Sequence, residues 1–234
     1  MDDPTLDPIL HDQALRGLAR LNRVSGVAGL LFRQLRHYAA EHPERPLRVL
    51  DIATGSGDLP IRWSQMARRR GMALEVMGLD ISDQAIRNAQ RQAATAGVDV
   101  EFLQWDVVRH KLPQGFDVVT CSLFLHHLDD LRIRFLLQSM VAVAGRAVVI
   151  CDLERSRLNL AAIWLASHLL SRSPVVHFDA TASVRAALTG AELKRLAESA
   201  LERPVLVRSA PPCRYLALID DAAELAVAPA LCTG

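Results

Sequence analysis

Three carboxylates stand at the ends of three successive apolar runs. Asp51 ends the run that starts at Leu47, Asp80 follows Leu74–Leu79, and Asp106 follows Val100–Leu103. The first run opens into the loop Asp51-Ile52-Ala53-Thr54-Gly55-Ser56-Gly57-Asp58. Glycines between a strand and a helix let backbone approach a ligand closely. A dinucleotide fingerprint needs another glycine three residues after Gly57, where this chain has Pro60, and no Gly-Lys-Ser/Thr follows for a P-loop.

Asp51 stands where an incoming pyrophosphate would be repelled. The pattern suits a nucleoside that carries a cation and no phosphate, and S-adenosylmethionine is such a ligand: a carboxylate near the loop attracts its ammonium group. Asp80, with Ile81 beside it, is placed to accept both hydroxyls of a ribose. Asp106 can accept from an adenine amino group while the N–H of Val107 donates to a ring nitrogen. The loop residues Asp51, Ala53, Thr54, Gly55 and Gly57 complete this candidate cofactor site.

His126 and His127 follow the run Phe116–Ser122, and Asp152 follows Ala147–Cys151. A histidine at such a strand end can remove a phenol or hydroxyl proton near neutral pH, and a neighbouring carboxylate can orient it. The competing reading is that the His pair packs or caps the next helix together with Asp129 and Asp130. The four cysteines form no CxxC pair and no metal-ligand spacing, so they read as reduced thiols with no metal site.

These residues need strands to position them. Residues 9–40 have apolar positions at helical spacing, with Ser25-Gly26 and Gly29 read as breaks between two helices. From Leu47 onward strand and helix alternate five times, which predicts a parallel sheet with helices on both faces and ligands at the strands' carboxyl edge. Ser82 is read as the N-cap of a helix that runs to Ala96 and stops at Gly97. Residues 153–188 break the rhythm: an apolar helix-like stretch, then a polar segment through Val184, read as an insertion over the sheet edge. Val205–Val207 and Tyr215–Ile219 are too close for a crossover helix and should pair antiparallel. Ala222–Gly234 reads as a flexible tail.

The pieces VLDIATGSGD, GLDIS, QWDV and FDVVTCSLFLHHLDD, in this order, resemble the class I S-adenosylmethionine-dependent methyltransferases across residues 47–152. ATGSGD is similar to the quinone C-methyltransferase branch. The resemblance implies a Rossmann-like, doubly wound, mostly parallel seven-stranded sheet with an antiparallel last strand, preceded by N-terminal helices and with a helical insertion after strand five. It places Asp51, Gly55 and Gly57 at the methionine end, Asp80 at the ribose, Asp106 and Val107 at the adenine, and Cys121 and Ser122 beside the sulfonium. A His-His pair with a strand-five acid also resembles some natural-product O-methyltransferases, which favours His126 as base with Asp152. His127, Trp164, His168, His177, Phe178 and Arg185 are candidates to touch the acceptor.

The expected organisation is a helical cap at 1–45, a cofactor-binding domain at 46–220 with the acceptor insertion at about 153–188, and a tail at 221–234. A net charge of +1 gives no global pull toward nucleic acid. The longest apolar stretch, Leu158–Leu170, falls short of the ~20 residues that span a bilayer, and the acidic N-terminus does not read as a signal peptide. The expectation is a cytoplasmic enzyme, monomer or homodimer, that methylates a small hydrophobic aromatic or polyketide-like metabolite, first on oxygen and otherwise as a quinone-type C-methyltransferase. A nicotinamide oxidoreductase and a non-catalytic cofactor-binding module are the readings from other classes.

Overall fold

The computed structural model describes residues 26–170 and 174–220 of the 234-residue chain. Seven strands form one sheet: β1 Leu47–Ile52, β2 Leu74–Asp80, β3 Glu101–Gln104, β4 Phe116–Ser122, β5 Ala144–Leu153, β6 Leu206–Ala210 and β7 Arg214–Asp220. Their order is β3-β2-β1-β4-β5-β7-β6. The first five are parallel, and β7 runs antiparallel to both β5 and β6. The expected architecture, including the antiparallel end, is what the chain adopts.

The central strands are apolar on both faces because helices cover both. In β1, Leu50 and Ile52 enter one core while Leu47 and Val49 enter the other. In β5, Val148 and Ile150 alternate in the same way with Val149 and Cys151. The helices are α1 Val27–Glu41, α2 Asp58–Arg68, α3 Asp83–Ala96, α4 Asp130–Val143, α5 Arg157–Leu170, α6 Pro174–Ala186 and α7 Gly190–Leu201. Ser82 caps α3 by accepting from the Ala85 N–H at 3.2 Å, and Gly97 ends it in the left-handed conformation. Thr189 and Glu192 form a reciprocal capping box on α7.

α1 runs down one face of the sheet. Near its start, the Ala28 carbonyl accepts from the Trp63 indole N–H in α2 at 3.1 Å. Near its end, Tyr38 bonds Asp220 at the foot of β7. Its first turn therefore lies at the edge where the parallel strands have their carboxyl ends. Gly26 adopts a left-handed conformation before α1, but Gly29 lies inside the helix and does not break it. The remaining N-terminal helix expected within 9–25, residues 171–173 and the tail at 221–234 lie outside the described residues. The polar segment expected to run through Val184 is instead the regular helix α6, packed against α5. β5 also begins earlier than expected and includes Gly145.

Asp117, buried in β4, fixes the foot of the sheet. Its carboxylate accepts from Arg45 at 2.8 and 2.6 Å and from the Arg48 N–H at 2.9 Å. The bonds from Arg45, more than offsetting the effect of burial, hold its pKa below the usual value. A depressed carboxylate pKa contributes stability above the unfolded value, and this is lost as pH falls. Asp117→Ala is expected to lose about 1–3 kcal/mol at neutral pH, the range for orphaning buried hydrogen-bond partners. Denaturant melts should show the wild-type advantage shrinking as pH falls below about 4.

Candidate active site

After β1 the chain turns sharply. Ala53, Gly55 and Gly57 all have positive φ, at 53°, 58° and 75°. The Thr54 N–H donates to the Leu79 carbonyl, and the Gly57 N–H returns to the Thr54 carbonyl. The two loop glycines do different jobs. A Cβ on Gly57 would lie 2.6 Å from the Phe102 ring and 2.9 Å from Ala89, so this glycine lets the loop pack on β3 and α3. A Cβ on Gly55 would meet nothing within 4 Å, so its open side is the one a ligand can approach. Gly78 in β2, not singled out in the sequence, leaves the room that Phe102 and the Thr54 methyl need.

Asp51 is 1% exposed. Its two oxygens accept from the hydroxyls of Thr120 and Thr54, each at 2.7 Å. Burial pushes its pKa up to about 6; the two hydroxyls oppose the shift and the charge of Asp80 adds to it. Asp80 accepts from the Gly55 N–H at 2.8 Å on one oxygen and from the Ser82 N–H at 2.9 Å on the other. Each oxygen keeps a second lone pair, so the carboxylate can brace the loop and still accept hydroxyls. Ile81 next to it is 64% exposed and offers a flat base an apolar surface. Asp106 caps the turn that follows β3, accepting from the Val108 and Arg109 N–H groups, and Val107 buries its side chain in the core. Cys121 is fully buried, its thiol pKa pushed well up by burial, so its side chain packs in the core and does not face a ligand. Half-buried Ser122 ends β4 at the ligand edge.

These features fit S-adenosylmethionine. The loop is open at Gly55, the carboxylates of Asp51 and Asp80 bond to it from two neighbouring strands, and exposed Ile81 lies beyond.

On the next strand ends, His126 Nδ1 lies 2.7 Å from Asp152 Oδ1. Asp152 also accepts from the N–H groups of Leu153 at 2.7 Å and His126 at 3.4 Å. Both side chains are almost fully buried. The contact assigns the Nδ1 proton to the carboxylate side and leaves Nε2 as the basic atom. His126 sits in a single 3-10 turn, Leu125–His127, against which α6 packs. His127 is exposed, with its ring 4.3 Å from that of His126. Asp129, not the histidines, caps α4, accepting from the Arg132 N–H at 2.8 Å.

The insertion brings together part of the expected acceptor set. The His168 ring stacks on His177 at 3.8 Å, and Trp164 lies 4.5 Å from His168. Trp164 and Phe178 are 53% and 77% exposed, and Arg185 is exposed on α6, so these three present their side chains outward. Sequence reasoning missed Thr120, whose hydroxyl satisfies Asp51 from mid-strand, and Arg214, a buried cation at the start of β7.

Gly57→Ala should cost about 2–4 kcal/mol, combining overpacking with left-handed strain, whereas Gly55→Ala should cost only the strain, roughly 1–2 kcal/mol; urea unfolding distinguishes them. Asp51 yields a prediction with a definite sign. The unfolded chain ionises it near pH 3.9 but the folded chain only near 6, so the folded state holds the extra proton between them. Stability relative to Asp51→Asn should therefore fall as pH rises from about 4 to about 6 and then level off, measured by parallel urea melts.

Residues 49–146 match the methyltransferase domain family. A demethylmenaquinone methyltransferase of Thermus thermophilus is 36% identical over 107 residues, 45% of this chain and 47% of that protein. A ubiquinone biosynthesis O-methyltransferase of Aeromonas salmonicida is 29% identical over 177 residues, covering 74% and 69% of the two chains. The chain thus spans about half the length of the first relative and just over two thirds of the second. Among solved structures, the plantazolicin methyltransferase BpumL in complex with SAH superposes with a TM-score of 0.68 at 15% identity, over 91% of this chain and 90% of that one. Magnesium protoporphyrin IX methyltransferase from Synechocystis, also with SAH, gives 0.59 at 16% identity over 92% and 88%. In its matched domain, its sheet order and its glycine loop, the chain is similar to the class I S-adenosylmethionine-dependent methyltransferases.

Proposed function

We propose that the chain methylates a hydroxyl group of a small, hydrophobic aromatic or polyketide-like acceptor, with His126 as general base. The observation that carries this reading is the His126–Asp152 contact of 2.7 Å at the carboxyl ends of β4 and β5, beside the glycine loop. When bound, S-adenosylmethionine supplies an activated methyl group on its sulfonium. In this assignment Asp51 attracts the ammonium group, Asp80 accepts the ribose hydroxyls, Ile81 supports the adenine, and Asp106 with the Val107 N–H reads its edge. His126 Nε2 takes the hydroxyl proton. Asp152 holds the tautomer that leaves Nε2 free and balances the charge that the ring then acquires. The insertion helices α5 and α6 with the start of α1 shape the acceptor pocket, and holding acceptor and donor in line is the larger part of the catalytic task.

Ubiquinone relatives named for O-methylation support this reading. The demethylmenaquinone relative, more similar over a shorter span, favours the second reading, transfer to a ring carbon of a quinone precursor.

The test is methyl transfer from labelled cofactor to a panel of phenols and quinols, with the product resolved by NMR. Methylation on oxygen is expected. His126→Ala should lower kcat by about 10²–10⁴-fold, the usual worth of a positioned base, with SAH affinity unchanged by calorimetry. Full turnover in His126→Ala would show that the pair is structural.

A further inference from the structure

Arg214 is 6% exposed, and its Nε is buried without a hydrogen-bond partner. Among the described residues nothing pairs with its guanidinium, through hydrogen bond or salt bridge. Buried cations are ordinarily paired, because an uncompensated charge in an apolar setting costs far more than a polar group at the surface. Arg146, less deeply placed, shows the contrast: its guanidinium bonds the Tyr38 carbonyl and pairs with Glu41. Burial also pulls the Arg214 pKa down, with Asp152 among the groups that partly offset this.

Its position gives the lone charge a meaning. β7 is antiparallel, so its first residue lies at the carboxyl edge of the parallel strands, opposite Leu153 of β5. Its side chain shares a sheet face with Cys151 and Leu216, the face that α1 covers. The Leu153 beside it packs under Leu160, Ile163 and Val184 of the insertion. Arg214 therefore stands at the strand end that the insertion covers through Leu153, one register position from Asp152, whose side chain takes the opposite face of the sheet with Tyr215.

We propose that Arg214 is a specificity residue that receives a carboxylate group carried by the methyl acceptor. A planar guanidinium matches a carboxylate with two parallel hydrogen bonds, and the acceptor would supply the partner that the protein withholds. This deepens the hydroxyl-methylation reading and rests on it: the acceptor becomes a hydrophobic hydroxylated acid.

The test uses the full chain saturated with SAH and three probes: 3,4-dihydroxybenzoate, its neutral amide, and 4-methylcatechol. Calorimetry should show the benzoate binding wild type about tenfold or more tighter than either neutral probe, at the lower end of what a desolvated charge pair confers. In Arg214→Met the preference should collapse to within about twofold, with SAH affinity intact, while Arg214→Lys keeps part of it. The melting temperature separates a functional from a structural charge. Removing an unpaired buried cation should leave Arg214→Met as stable as wild type or more so. The assignment is overturned if wild type shows no carboxylate preference. It is equally overturned if Arg214→Met keeps the preference, melts lower or fails to fold. A wild type that methylates 4-methylcatechol without preferring the benzoate sinks this inference alone. A wild type that binds SAH but methylates none of the probes sinks the hydroxyl reading, and the binding data still decide on Arg214.

Discussion

A carboxylate buried at the centre of a parallel sheet is the constraint around which the ligand edge is arranged. Asp51 sits in β1, between β2 and β4, with almost no access to water. An uncompensated charge there would cost several kcal/mol. Two hydroxyls reduce that cost, and they come from different places: Thr120 from the neighbouring strand and Thr54 from the loop. The loop is thus anchored through the same carboxylate that disfavours its own ionisation. Asp80 adds the second anchor by gripping the Gly55 N–H from the next strand end. Together they hold three residues at positive φ in a conformation that the sequence between two regular elements would not adopt unaided.

The same edge carries three ionisable groups that are satisfied to different degrees. Asp51 has two neutral donors and a raised pKa. Asp152 has the His126 ring and two backbone N–H groups, enough to hold a carboxylate and to orient an imidazole. Arg214 has none among the described residues. A protein selected only for stability would replace such groups with apolar side chains of similar volume. Of the four buried charged residues described, these three lie at the carboxyl edge and only the paired Asp117 lies at the foot, a distribution that fits a site in which stability is given up for binding and chemistry.

What the sequence made legible follows from which signals are local. Apolar runs ended by aspartate and glycine located the strands, because fully buried parallel strands read as continuous hydrophobic segments. Ser82 and Gly97 were legible as caps because their requirements are confined to a single turn. Helix α6 was not: Pro174–Ala186 carries β-branched, Thr and Ser residues with weak helical preference, and it is held by packing on α5 and on the 3-10 turn. The need of Gly57 for room beside Phe102 was not legible, because it arises from a residue 45 positions away. Arg214 lay just outside the strand read at Tyr215–Ile219 and drew no reading of its own. Only the antiparallel turn of β7 shows that it lies inside and at the ligand edge.

The two halves of the site meet in the turn after β4. Leu123 there takes a positive φ of 54°, donates its N–H to the Cys151 carbonyl of β5, and packs its side chain with Leu153 beneath the insertion. This bond fixes the start of the 3-10 turn to β5, so the position of His126 is set by the sheet and not by the helices above it. The insertion above it is built differently, from helices that leave Trp164, Leu169 and Phe178 in the open. Changes of length or composition in α5 and α6 can therefore reshape the insertion while His126 keeps its place at the sheet edge. That separation lets one sheet carry differently shaped sites on the same fold, and it holds His126, Asp152 and Arg214 at strand ends independently of the helices that cover them.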